Sequence, residues 1–155
     1  MHTLLILLHS WTRWAAILLA LAACLGGLRG LLTGTPWSPG SRRINLLAAT
    51  AFDVQLVLGL TLYLFFSPFT IEAFRDFGFA MRTPSLRYWA VEHVTIMLVA
   101  LILAHVGNVA ARRARSDRAR HLRSALLFGA VVLLALAGTP WPGLANGRPL
   151  FRVGF

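Results

Sequence analysis

Four long apolar runs alternate with three short polar connections along this chain. About 20 apolar residues cross the hydrocarbon core of a bilayer, and the runs 3–32, 44–66, 87–110 and 122–139 reach or approach that length. The pattern predicts an all-α integral membrane protein, one domain over 1–155, folded as a four-helix transmembrane bundle. The first run is the one that resembles a signal peptide. It lacks a basic leader, is longer than a signal peptide's apolar region and contains Arg13, so it is expected to stay as a helix. Pro140 and Pro142, on either side of Trp141, are expected to end the fourth helix at an interface.

The connections differ in character. Residues 33–43 contain Pro36, Pro39 and Gly40 and predict a plain turn. Residues 67–86 form the longest connection, in which Phe69, Phe74, Phe77 and Phe79 alternate with Glu72, Arg75, Asp76 and Arg82. That mixture predicts a short amphipathic helix over 70–79 lying on the membrane surface. The third connection is a run of arginines.

Composition agrees with the membrane class. The chain is 57% hydrophobic and only 13% charged, too apolar for a soluble domain of this size, which needs a polar surface. The formal charge of +10 invites a nucleic-acid reading. However, six arginines fall in the short stretch 112–123 between two apolar runs, where they serve topology, so no nucleic-acid partner is expected. Together with Arg29, Arg42 and Arg43 they outnumber the arginines of the other side, Arg75, Arg82, Arg87, Arg148 and Arg152. The positive-inside rule then puts the first and third connections in the cytoplasm and both termini on the periplasmic side of a bacterial inner membrane. The lone Cys24 can form no internal disulfide.

The informative residues are the polar ones inside the apolar runs, because an ionisable group at membrane depth is costly and marks a site or a paired structural element. His9 lies about six residues into the first helix and His93 about six into the third. These helices run parallel, so at 1.5 Å per residue both imidazoles sit roughly 9 Å below the same boundary. Two depth-matched imidazoles on two helices of a bundle suit a bis-histidine haem, and His9 and His93 are the candidate metal ligands. Interfacial histidines bonded to backbone or lipid are the plainer alternative.

Arg13 follows His9 by one turn, on the same face. It is placed to meet a haem propionate or a quinone carbonyl, or to pair with Asp53, which comes from the second helix at similar depth with Gln55. Glu92 stands beside His93 and either assists a ligand or takes a proton from a quinol, or else it pairs with Arg87. In the tail, Arg148 and Arg152 return to the His9 and His93 side, to hold propionates or to anchor on lipid phosphates. His105 lies 12 residues after His93, roughly 18 Å along the axis, so the two cannot share an iron. A second haem would need His121, otherwise a solvated residue of the basic loop, while His105 bonds across helices. Motifs for zinc, phosphate, serine-hydrolase or covalent haem chemistry are absent from the sequence.

Several segments carry a resemblance. His9-Ser-Trp-Thr-Arg13-Trp14, Phe52-Asp-Val-Gln55 through Gly59 to Tyr63, Trp89-Ala-Val-Glu92-His93 and Gly147-Arg148-Pro-Leu-Phe-Arg152 are similar to small bacterial four-helix membrane proteins labelled cytochrome b-like, over almost the whole chain. A weaker likeness, through Gln55, Gly59 and His93, is to one four-helix half of haem A synthase. There, haem-ligating histidines lie in paired helices. The interior of the fourth helix here has no histidine, so His9 would be the partner of His93.

Two functions are therefore expected. One is a b-type haem protein moving electrons between the quinone pool and a periplasmic-side partner, with His9 and His93 as ligands, Arg13 and Arg148 on propionates and Gln55 or Glu92 on quinone. The other is a haem-free accessory subunit of a larger respiratory or photosynthetic membrane complex, packing through its aromatic second connection and small-residue faces such as Gly26-Gly27-x-x-Gly30.

Overall fold

The computed structural model describes residues 1–151. Four helices are long and apolar enough to cross a membrane: α1 (His2–Thr33), α2 (Pro39–Phe66), α5 (Pro84–Arg113) and α6 (Asp117–Ala137). Two short helices, α3 (Pro68–Arg75) and α4 (Phe77–Arg82), link α2 to α5. No strand occurs among the described residues.

Local chemistry sets the ends. Gly34 closes α1 in the left-handed conformation, with φ of 65°. Ser38 caps α2 by accepting a hydrogen bond from the backbone N–H of Ser41, and Pro39 takes the first helical position, where its missing N–H costs nothing. The helix therefore begins five residues before the expected 44: Pro39 starts a helix and is not part of a turn. Ser116 caps α6 in the same way, bonding the N–H of Ala119 at 3.3 Å, with Asp117 in the positive first turn. Most of the arginine stretch is therefore helical, not loop, and α6 starts five residues before the expected 122. It ends at Ala137, ahead of Pro140. The surface helix expected over 70–79 is two helices, because the side chain of Asp76 turns back to cap Phe79 at 2.8 Å and starts a new one.

α1 packs on α2 and α6, and α5 packs on α2 and α6. The bundle is thus a ring in which chain neighbours are antiparallel, and α1 faces α5 across the diagonal. Its arginine-rich half is packed on small residues: Ala20, Ala23, Ala48, Ala100 and Ala104 are essentially sealed, with Phe128 and Val131 filling the centre. Small side chains let helix backbones approach closely, which is how helices associate without a hydrophobic drive. At Gly27 the close approach is to helix backbone. A Cβ there would stand 2.7 Å from the amide nitrogen of Ala125 and 2.8 Å from the carbonyl of His121. Gly27 and Gly30 are therefore spent inside the chain, against α6, and only Gly26 of that small-residue face is open. Towards the end where α1 begins and α6 ends, the helices separate around a cavity.

Candidate functional site: a cavity between diagonal helices

The cavity measures about 640 Å³, within the ~300–1,000 Å³ typical of cofactor pockets. α1 contributes His2, Ile6, His9, Ser10 and Arg13, spaced so that all fall on one helical face. α2 contributes Phe52, Gln55, Leu56 and Gly59, α5 contributes Trp89, His93, Met97 and Leu101, and the tail contributes Arg148. Five of the six expected site residues, His9, Arg13, Gln55, His93 and Arg148, thus share one cavity. The sixth does not line it. Glu92 pairs with Arg87, Nε to Oε1 at 2.6 Å, with both side chains about 40% exposed. Arg152 lies outside the described residues.

His93 is fixed by the end of α6. Its Nδ1 stands 2.8 Å from the carbonyl oxygen of Gly138, and the hydroxyl of Tyr88 donates to the same oxygen at 2.9 Å. A carbonyl only accepts, so the ring hydrogen belongs to Nδ1 and the lone pair to Nε2. A π-helical turn, Tyr88–Glu92, lies immediately before His93. Such turns re-aim side chains at functional sites. Here the loosened backbone is held by Tyr63, whose hydroxyl donates to the carbonyl of Ala90 at 2.7 Å.

His9 is less constrained. Its Nδ1 is buried and has no hydrogen-bond partner among the described residues. Gly59 lies against its ring: a Cβ on Gly59 would come within 3.2 Å of His9 Cε1. Gln55 steadies this part of α1 from α2, donating from Nε2 to the Thr12 hydroxyl at 2.7 Å and to the His9 carbonyl at 3.1 Å. No family model, curated protein or solved structure matches the chain.

Two cations face the cavity with no carboxylate partner among the described residues. Arg13 donates from Nη2 to the carbonyl of Leu150 at 2.8 Å, while its buried Nε has no hydrogen-bond partner among the described residues. Arg148 lies over the rings of Phe69 and Trp89, at 5.6 and 5.5 Å. The expected Arg13–Asp53 pair does not form, because Asp53 bonds His105 on the outside of the bundle at 2.7 Å. The tail is drawn over the cavity by Arg13 and by Trp14, whose indole N–H also donates to Leu150, and Phe151 packs on Trp11 and Trp14.

His105 and His121 do not meet. His105 has Asp53. His121 is buried, not solvated: its Nε2 lies 3.1 Å from the Thr35 carbonyl, its ring packs on Trp37, and Gly30 makes room for it. Sequence reasoning missed His2, which stacks on Phe66 and lines the cavity. The signal was present in its seven-residue spacing from His9, which puts both on one face.

Proposed function

We propose that the chain is a b-type haem-binding protein of the bacterial cytoplasmic membrane that carries electrons between the quinone pool and a partner on the periplasmic side. The observation that carries this reading is the state of His93: its Nδ1–H is used on the Gly138 carbonyl, so Nε2 is the donor nitrogen, oriented by a backbone partner as metal-bound imidazoles usually are. His9, on the diagonal helix lining the same cavity, is the second ligand, and its unpartnered buried nitrogen and the space left by Gly59 are consistent with that role. Arg13 and Arg148, cations with no carboxylate partner among the described residues, suit the two propionates. Bound haem iron supplies one-electron transfer. The protein's part is to hold both imidazoles, neutralise the propionates and keep water out with the apolar walls and the tail.

A haem-free accessory subunit is the second reading. Phe74, Phe77 and Phe79 of α3 and α4 are 48–61% exposed and form an aromatic surface on which a larger membrane subunit could pack.

Extraction of cofactor from the purified protein tests the first reading. One non-covalent haem per chain is expected, and protein that stays colourless when produced with haem in excess would overturn it.

A further inference from the structure

The His105–Asp53 pair sits where a polar pair is hard to explain by packing. Their side chains bond at 2.7 Å from α5 to α2, yet they are 49% and 47% exposed, among the exposed Val54, Val57, Ile102 and Val106. His105 is eight residues before Arg113, the end of α5, so it stands roughly 12 Å inside the arginine-rich boundary, at hydrocarbon depth. A half-exposed ionisable pair at that depth is costly unless something polar meets it there.

What meets it has to come through lipid and offer a hydrogen-bonding group. Nε2 of His105 is taken by Asp53, and its Nδ1 has no hydrogen-bond partner among the described residues. With Asp53 ionised, Nε2 carries the hydrogen and Nδ1 presents a lone pair that accepts from a hydroxyl. When the pair takes up one further proton at Nδ1, as a quinol hydroxyl could supply, the Nε2 hydrogen passes to Asp53 and Nδ1 then carries a hydrogen that it donates to a carbonyl. The pair therefore matches both redox forms of a quinone head: the hydroxyl of the quinol and the carbonyl of the quinone. An acyl chain offers neither group. A shallow groove of about 460 Å³ starts at His105 and runs past Val106, Val109 and Ala110 to Arg113 and Arg123, giving the head an apolar wall to lie against.

The position also suits exchange with the cavity. Asp53 shares a turn of α2 with Phe52 and Gln55, and Leu101 lies one turn from His105 on α5. All three of those neighbours line the cavity from the inside. We infer that His105 and Asp53 form a lateral docking site for the head of a lipid-soluble quinone or quinol, separated from the cavity by the α2–α5 seam. The inference rests on the proposed function for the redox class of its ligand.

The test is a titration of the full chain in nanodiscs with decyl-ubiquinone, oxidised and reduced, alongside its optical spectrum. Saturable binding of both forms is expected, weakened about tenfold or more in His105→Leu and Asp53→Leu, as for loss of one charge-assisted hydrogen bond. The cofactor spectrum should be unchanged in both variants, so failure of the haem reading shows in the spectrum and failure of this site shows in the binding. Wild-type affinity in both variants, or no binding by the wild type, would overturn the site. So would oxidative cross-linking of Val106→Cys into a dimer that quinone does not compete, since a second copy would then cover this face. If a variant fails to accumulate in the membrane, photolabelling of the wild type with an azido-quinone decides. Label within 102–109 supports the site, and label confined to cavity residues overturns it.

Discussion

The Nδ1 of His93 lies 2.8 Å from the carbonyl oxygen of Gly138, and with the Tyr88 hydroxyl on the same oxygen it ties the π-helical turn of α5 and the residue after it to the end of α6. It sets the tautomer of the ring and its direction together. The position is also tight, since a Cβ on Gly138 would run into the methyl of Met97 and come within 3.0 Å of Ile96 Cγ2. Gly138→Ala should therefore shift the carbonyl away from His93. The expected cost is ~1–3 kcal/mol of stability from overpacking, read as a lower unfolding midpoint in detergent, together with reduced cofactor occupancy. Wild-type values of both would show that the bond does not govern the ring.

Gly59 is predicted to matter for occupancy more than for folding. In Gly59→Leu the side chain would grow towards the His9 ring, which is already 3.2 Å from a Cβ at that position. Haem content should fall severalfold while the helical content measured by circular dichroism stays that of the wild type. Equal loss of both would make Gly59 a packing residue only.

The paired glycines of α1 make a sharper contrast. Gly27→Val would press on the backbone of α6 at Ala125 and His121, where nothing flexible can yield, whereas Gly26 has nothing within 4 Å of an added Cβ. Gly27→Val should destabilise by ~3 kcal/mol or more, at or above the upper end for overpacking, and Gly26→Val should change stability little. Thermal unfolding of the two variants side by side checks this.

Glu92 is predicted to be dispensable. Its bond to Arg87 is 2.6 Å long, but both partners are about 40% exposed, and such pairs contribute ~0–1 kcal/mol. Glu92→Gln should leave the unfolding midpoint within a degree or two and the cofactor spectrum unchanged. A shifted spectrum would mean that the carboxylate acts on His93 after all.

The hydrophobic pattern made the four spans legible, because length and apolar content are what a bilayer demands of a helix. The approach of His9 and His93 to one cavity was legible for the same reason: rise per residue fixes depth. What the pattern could not reveal came from contacts distant in sequence. The Gly138 carbonyl reaches His93 across 45 residues, and Asp53 prefers His105, 52 residues away, to Arg13. The π turns at Leu62–Phe66 and Tyr88–Glu92 contain no Gly or Pro to announce them. The Ser38 and Ser116 caps stand beside prolines and arginines that suit a turn and a loop equally well, so the sequence alone does not place the two helix starts.

The central claim is that His9 and His93 together hold a haem. A dithionite-reduced minus oxidised difference spectrum of the purified chain, recorded for the wild type and for His9→Ala and His93→Ala, tests it most directly. The account predicts a sharp b-type alpha band in the wild type, lost or broadened in each variant. A wild type without the band, or either variant keeping it unchanged, would contradict the assignment.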